Sequence, residues 1–125
     1  MSKSKSPLPV ASVAEWLALP ELSIPVVASE ADKGTIFMVH KVGFLFVNTA
    51  DCRAAKLDSP SVADGKSALP TASVDFAGKV TLCRLPTALA EWAFSCVALA
   101  QQGIRSFPGK VEFGVLRGRA YAERL

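Results

Sequence analysis

The C-terminal part of the chain holds its clearest candidate for a binding site. Basic and aromatic residues are interspersed there: Arg105, Phe107, Lys110, Arg117, Arg119, Tyr121 and Arg124. Gly118, between Arg117 and Arg119, predicts a tight turn from which both guanidinium groups would project. Guanidinium groups bind phosphates and carboxylates through paired hydrogen bonds, and a nucleobase can stack on an aromatic ring. The residues that we expect to bind an anionic partner are Arg105, Lys110, Arg117, Arg119 and Tyr121. The alternative is a solvated turn with ordinary surface arginines.

The charge of the chain gives only mild support to an anionic partner. The formal net charge is +3, and residues 79–125 hold seven of the fourteen Lys and Arg but only three of the eleven Asp and Glu. This imbalance is far smaller than that of a dedicated DNA-binding domain. We expect an acidic protein surface in preference to nucleic acid, which is a possible partner but not the favoured one.

Residues that could act as a nucleophile or hold a metal follow no known pattern. His40 is the only histidine, and Cys52, Cys83 and Cys96 lie far apart in the sequence. A zinc site normally takes two ligands from one turn, as in C-x-x-C, and no such pair is present. A cysteine nucleophile needs a base, yet Cys96 falls on the apolar side of a predicted helix and His40 beside Lys41 in a predicted turn. The sequence predicts no catalytic residue, no metal and no other cofactor, and it favours a non-enzyme without excluding a small enzyme.

Nucleotide binding and carboxylate-pair catalysis are not indicated either. Neither G-x-x-x-x-G-K-[ST] nor a G-x-G-x-x-G that follows a strand occurs in the chain. The carboxylates are scattered, and Asp32 and Asp64 precede turn residues, where a turn-forming role explains them.

The most apolar stretch predicts the helix around which the domain is organised. Thr87 to Gly103 is rich in Ala and Leu, with Thr87 as the expected N-cap and Gly103 as the expected C-cap. Large apolar side chains occur on more than one side of this helix, which predicts that it is mostly covered. Glu91 and a Gln pair interrupt the run before it reaches the length of a membrane span, so we expect no membrane segment.

Residues 35–50 form the strongest β segment, heavy in Val, Ile and Phe. They could form one long strand with a bulge at Gly43 or a tight hairpin across residues 40–43. Strands average five or six residues, which favours the hairpin. The segment is too apolar to alternate cleanly, so we expect the central helix on one face and a partner or a short helix on the other. Phe44 and Phe46 are the residues that we expect at an interface.

The remaining segments predict short elements around these two. Ser12 and Glu15 have the spacing of a capping box, which predicts a short helix at about residues 12–19. Residues 24–28 read as an edge strand, and the polar segment 51–73, with Pro60 and Pro70, as a long loop. Further strands are predicted at residues 73–76, 79–85, 110–116 and 119–124.

Together these segments predict an α+β fold: a mostly antiparallel sheet of about five or six strands, with one long helix (about 87–103) packed on one face and a short N-terminal helix (about 12–19). Residues 1–9, rich in Lys, Ser and Pro, predict a disordered tail. Residues 10–125 predict a single domain.

Composition favours association over catalysis. Half of the residues are hydrophobic and 20% are charged, which is apolar for a small soluble monomer and predicts an exposed apolar patch. We therefore expect a non-enzymatic protein-interaction module, homodimeric and binding a protein partner. The alternatives are a small-molecule binder or small enzyme with a pocket between helix and sheet, and a nucleic-acid binder that uses the basic C-terminal hairpin. An odd number of unpatterned cysteines and the lack of a continuous apolar leader predict a cytoplasmic location.

Overall fold

Six strands form one sheet, with a long helix on one face and two short helices on the other. The structure is a computed structural model that describes residues 10–29, 31–58, 60–62 and 65–125, so the predicted tail at residues 1–9 lies outside the described residues. The elements in chain order are α1 (Val13–Ala18), β1 (Val26–Val27), β2 (Thr35–Asn48), α2 (Thr49–Ala54), β3 (Lys66–Phe76), β4 (Lys79–Arg84), α3 (Ala90–Gln101), β5 (Gly109–Leu116) and β6 (Arg119–Arg124). The predicted α+β class is confirmed.

Strand β2 joins the two parts of the sheet. Its first residues, Thr35 to Val39, pair with β5, and its residues from Val39 to Asn48 pair with β3, which in turn pairs with β4. β1 pairs in parallel with β5 on the same edge as β2, past the point where β2 begins, and β6 pairs with the other edge of β5. The sheet is therefore mostly antiparallel, as predicted.

The predicted hairpin at residues 35–50 is wrong, because β2 is a single strand of fourteen residues. The register of its pairing with β3 shifts between Val39 and Lys41, which leaves His40 as the extra residue of a bulge. The alternative of a bulge at Gly43 is also wrong, since Gly43 pairs regularly with Thr71. A strand this long is stabilised because each of its halves has its own antiparallel partner.

The predicted loop at residues 51–73 is too long. α2 occupies its beginning, and β3 already starts at Lys66, so a proline, Pro70, lies inside a strand that has neighbours on both sides. β4 ends at Arg84, opposite Thr71, and the Pro70 carbonyl then accepts bonds from the N–H of Leu85 and from Nε1 of Trp16. The Pro70 nitrogen, which carries no hydrogen, therefore faces away from β2 and lies beyond the end of the pairing between β3 and β4. Its lack of an N–H interrupts no hydrogen bond between strands.

The sheet has a different core on each face. On the inner face, α3 covers buried residues of β2, β3 and β5, among them Val39, Val74 and Phe113. On the outer face, α1 and α2 cover only one end of the sheet, where Trp16 and Cys52 pack with buried residues of β2 and β3. Among the described residues, no helix packs on the rest of the outer face.

The N-terminal helix forms as predicted. The side chain of Ser12 accepts from the Glu15 N–H, and the Glu15 carboxylate accepts from the Ser12 N–H, both at 3.0 Å. This capping box fixes the first turn of α1. Trp16, the buried residue of α1, then attaches the helix to Pro70.

The central helix differs from the prediction at its start and in its coverage. A 3-10 turn, Thr87–Leu89, precedes α3 with Pro86 at its N-cap position and no side-chain capping bond, so the predicted Thr87 cap is wrong. The predicted C-cap is correct: Gly103 has φ +83°, and the N–H of Ile104 bonds to the Leu99 carbonyl in a Schellman motif. Leu99 is 38% exposed and Ile104 51% exposed, so the second half of the helix is less covered than predicted. Within the described part of the chain, no helix is long and apolar enough to span a membrane.

The β5–β6 hairpin closes through Arg117 and Gly118, which have φ values of 53° and 77°, as a two-residue turn of this twist requires. Gly114 of β5 lies opposite Tyr121 of β6. A Cβ at Gly114 would lie 2.6 Å from atoms of the Tyr121 ring. The ring therefore packs directly over the glycine backbone.

Replacing Gly114 by Ala is expected to lower the free energy of unfolding by about 1–3 kcal/mol, because the Tyr121 ring must move to admit the methyl group. Gly43→Ala is the matched control, since its nearest neighbour would be Oγ1 of Thr71 at 3.9 Å. Gly43→Ala should leave the free energy of unfolding unchanged or raise it slightly. Urea unfolding followed by circular dichroism measures both. Equal midpoints for the two variants would contradict the packing of Tyr121 on Gly114.

Candidate functional site: a groove beside an open strand edge

The basic constellation predicted from the sequence is divided between the two ends of β5. Arg117 and Arg119 are exposed at the tip of the β5–β6 hairpin, whereas Lys110 lies near the start of β5 and Arg105 in the connection that precedes it. A strand of this length separates its ends by on the order of 25 Å. The five predicted residues therefore do not form one site.

Tyr121 is engaged inside the protein. Its hydroxyl donates to Oε2 of Glu112 at 2.5 Å, and the N–H of Gly34 donates to the same oxygen at 3.0 Å. Both hydrogen bonds lower the pKa of the Glu112 carboxyl, and the bond from the Tyr121 hydroxyl has the larger effect. The same bond to Glu112 raises the pKa of Tyr121. This pair holds β6 and the turn before β2 against β5.

A groove of about 700 Å³ between α3 and β2 carries Arg105, one of the predicted residues. Its lining residues are His40, Lys41, Val42, Cys96, Val97, Ala100, Gln101, Arg105, Ser106 and Phe107. Phe107 is positioned by the edge-on ring of Trp92, with a distance of 6.4 Å between the ring centroids. The groove is mainly apolar, and Lys41 and Arg105 supply its positive charge.

The groove exists because β2 and β5 separate at the bulge. β5 begins at Gly109, opposite Val39, so no strand of the described residues lies beside β2 on that edge after Val39. The connection between α3 and β5 forms the opposite wall. Arg124 of β6 holds this connection in place, because its Nε donates to the Ser106 carbonyl at 2.6 Å.

The unpaired edge of β2 presents backbone hydrogen-bonding groups. The Phe46 carbonyl accepts from the N–H of Ala11 at 2.7 Å, so the backbone groups of Phe46 face away from β3. Because the orientation alternates along a strand, those of Val42 and Phe44 face the same way. The position of Pro70 supports this orientation of Phe44. Pro70 lies opposite Phe44 on β3, and its carbonyl points away from β2, so Phe44 and Pro70 exchange no backbone hydrogen bond. No backbone group among the described residues bonds to Val42 or Phe44 on this side.

A second depression, of about 390 Å³, lies on the outer face beside the same stretch of β2. Its lining residues are Lys41, Gly43, Phe44, Leu45, Thr71, Ser73 and Leu82. Gly43 contributes no side chain, which leaves room above the backbone between β2 and Thr71. This depression begins above β2 between Lys41 and Leu45 and extends over β3 and β4.

The predicted interface residues lie along this edge. Phe44 and Phe46 are half-buried on the inner face, with ring centroids 6.2 Å apart. Phe94 of α3 lies over Phe44 at a centroid distance of 4.4 Å. These three rings form a partly exposed aromatic cluster beside the unpaired backbone.

The possible catalytic groups are poorly placed for nucleophilic chemistry. His40 and Cys96 line the same groove, and Nε2 of His40 lies 2.9 Å from Oδ1 of Asp75, but no hydrogen bond joins His40 to Cys96 within the described part of the chain. Burial raises the pKa of the Cys96 thiol to about 11, so it is protonated at neutral pH. Burial also raises the pKa of Cys52 and of Cys83, and both side chains are enclosed. Among the described residues, no group of three His, Cys, Asp or Glu is placed to hold a metal ion.

Sequence reasoning identified Arg105, Phe44 and Phe46 but missed the open edge that connects them. One signal was present: Lys41 lies within an otherwise apolar run of β residues. A lysine in such a position is typical of an unpaired edge strand. The groove itself had no signal, because its two walls are about sixty residues apart in the sequence.

Comparison of the chain with protein-family models, with curated proteins and with solved structures finds no match.

Replacing Glu112 by Gln is expected to lower stability at neutral pH and to flatten its dependence on pH in the acid range. A carboxyl whose pKa is lowered by folding stabilises the protein above its unfolded pKa, and this contribution is lost as the pH falls through the folded pKa. The difference in unfolding free energy between the parent and Glu112→Gln should therefore shrink as the pH falls below the ordinary glutamate pKa of 4.5.

Urea unfolding at several pH values from about 8 to about 3 measures this dependence. The control is Glu91→Gln, which removes an exposed carboxyl on α3 without touching the bonds to Glu112. A Glu112→Gln variant with the parent's pH dependence would show that the bonds from Tyr121 and Gly34 do not stabilise the carboxylate.

Proposed function

We propose that this chain is a non-enzymatic protein-interaction module that binds a protein partner through the apolar surface shared by α3 and β2. The observation that carries the proposal is the apolar groove beside an unpaired strand edge. Exposed apolar surface combined with free backbone donors and acceptors is a common basis of peptide recognition. The half-buried cluster of Phe44, Phe46 and Phe94 extends this surface along the strand.

The shape and chemistry of the groove favour a polypeptide over a small substrate. Small-molecule sites usually bury most of their ligand, whereas this groove is widely open to solvent. The thiol of Cys96 is protonated, and among the described residues no base is hydrogen-bonded to it. The basic residues at opposite ends of β5 also give less support to a continuous nucleic-acid surface. Three free cysteines are consistent with a reducing compartment, so we propose the cytoplasm as its location.

A second copy of the chain is the partner that we propose for the uncovered side of α3. Apart from Glu91, Ser95 and Gln101 the helix is apolar, which is typical of a helix that is mostly covered. Yet Leu99 and Ile104 are exposed in the single chain, on the side away from the groove. A symmetric pairing of two α3 helices would cover this surface and leave the groove free.

Replacing Val97 by Glu is expected to weaken partner binding by at least about tenfold, since it puts a charge on the apolar groove wall. Peptides selected from a random displayed library by the parent protein are the probe. Val26→Glu is the matched control, because Val26 is 79% exposed on β1, away from the groove. Selected peptides that bind Val97→Glu as well as the parent, or a library that yields none, would contradict the proposed binding surface.

Replacing Leu99 by Glu is expected to convert a dimer into a monomer without unfolding it. Light scattering over a concentration series gives the mass, and circular dichroism checks the fold. Leu17→Glu on α1 is the control, since Leu17 is also an exposed leucine on a helix, at 47% against 38% for Leu99. A parent protein that stays monomeric at high concentration would refute the dimer.

A further inference from the structure

We propose that the partner segment is a short extended peptide with an acidic side chain, which adds as an extra strand to the edge of β2 between Lys41 and Leu45. The inference rests on the proposed function and specifies the chemistry of its partner. It follows from the backbone, the two depressions and the charges along this edge.

The backbone provides the first requirement. Val42 and Phe44 each direct an N–H and a carbonyl toward the open side of β2, as the bond from Ala11 to the Phe46 carbonyl indicates. An extended peptide satisfies such groups with its own backbone, whereas an apolar ligand leaves them without partners. The four groups alternate with those that face β3, as in any strand that can pair on both edges.

The depressions provide the second requirement. Successive side chains of an added strand point to opposite faces of the sheet. On the inner face they would meet the groove walled by Val97 and Phe107, and on the outer face the space above Gly43. A peptide with apolar residues at alternate positions therefore fits both sides of the edge at once.

The charges decide the polar part of the partner. Lys41 borders both depressions, and Arg105 lines the groove. Neither side chain forms an ion pair within the described part of the chain, whereas the nearby carboxylate of Asp75 is bonded to His40. The two cations serve opposite faces, because Lys41 shares the outer side of β2 with Gly43 while Arg105 belongs to the groove on the inner side. A carboxylate on either face of an added strand would pair with the cation there, and a basic side chain would be repelled.

The length of the open edge favours a linear segment over a second copy of β2. One end is closed by Ala11, which bonds to Phe46, and the other by β5, which begins opposite Val39. About five residues remain, a span of roughly 17 Å. In a second copy of the chain, Ala11 and β5 also flank the open stretch of β2. Two such edges therefore pair with each other less readily than a free peptide pairs with one edge.

Synthetic peptides of seven residues test the proposal directly. The probe alternates valine and threonine around a central aspartate, and matched peptides carry asparagine or lysine at the centre. Fluorescence anisotropy with the full chain should show about tenfold weaker binding of the asparagine peptide and still weaker binding of the lysine peptide. Lys41→Gln with Arg105→Gln should abolish the preference for aspartate, and Arg119→Gln at the distant hairpin tip should preserve it.

N-methylation of single peptide amides tests strand addition separately. Only every second amide of an added strand faces β2, so methylation should abolish binding at alternate positions and leave it intact at those between. Equal effects at adjacent positions would overturn the added strand. Equal affinity for the aspartate and asparagine peptides would overturn the acidic partner.

The two proposals fail in different ways. If these peptides do not bind but library peptides sensitive to Val97→Glu do, the extended acidic partner is wrong and the interaction module stands. If neither set binds, both proposals fall. If the protein binds no peptide but forms a dimer, and Val97→Glu dissociates that dimer, then a second copy occupies the edge. That result would also overturn the inference.

Discussion

The bulge at His40 is the constraint on which the rest of the structure depends. A single strand, β2, carries both parts of the sheet, and it pairs with β5 before the bulge and with β3 from Val39 onward. A strand with regular pairing on both edges throughout would leave no opening. β5 begins only at Gly109, opposite Val39, so the two strands separate there, next to the bulge in the pairing of β2 with β3. The separation creates the groove and exposes the backbone of Val42 and Phe44.

The helix above this opening both stabilises the sheet and shapes the groove. The buried end of α3 packs on the inner face through Ala90 and Ala93, while Phe94 stacks on Phe44. The other end diverges from the core and forms the wall with Val97 and Ala100. The partial coverage of α3 thus has a structural reason, because the helix lies over the place where β2 and β5 separate.

The candidate site shows which parts of a binding surface can be inferred from residue types. Arg105 and Phe44 were identifiable because cations and aromatic rings are informative wherever they occur. The grouping of Arg105 with Arg117 was wrong, because residues close in sequence lie at opposite ends of an extended strand. Its actual neighbour in the groove is Lys41, more than sixty positions earlier. Such a pairing depends on strand order, which local patterns do not encode.

The sequence by itself determined the local elements: the capping box of Ser12 and Glu15, the Gly103 C-cap and the turn at Arg117 and Gly118. Each depends on dihedral angles or hydrogen bonds within a few residues, so the residue types suffice. The tertiary structure decided that residues 35–48 form one strand, that Pro70 fits inside β3 and that part of α3 is uncovered. These features depend on what lies beside each segment, and their neighbours come from distant parts of the chain.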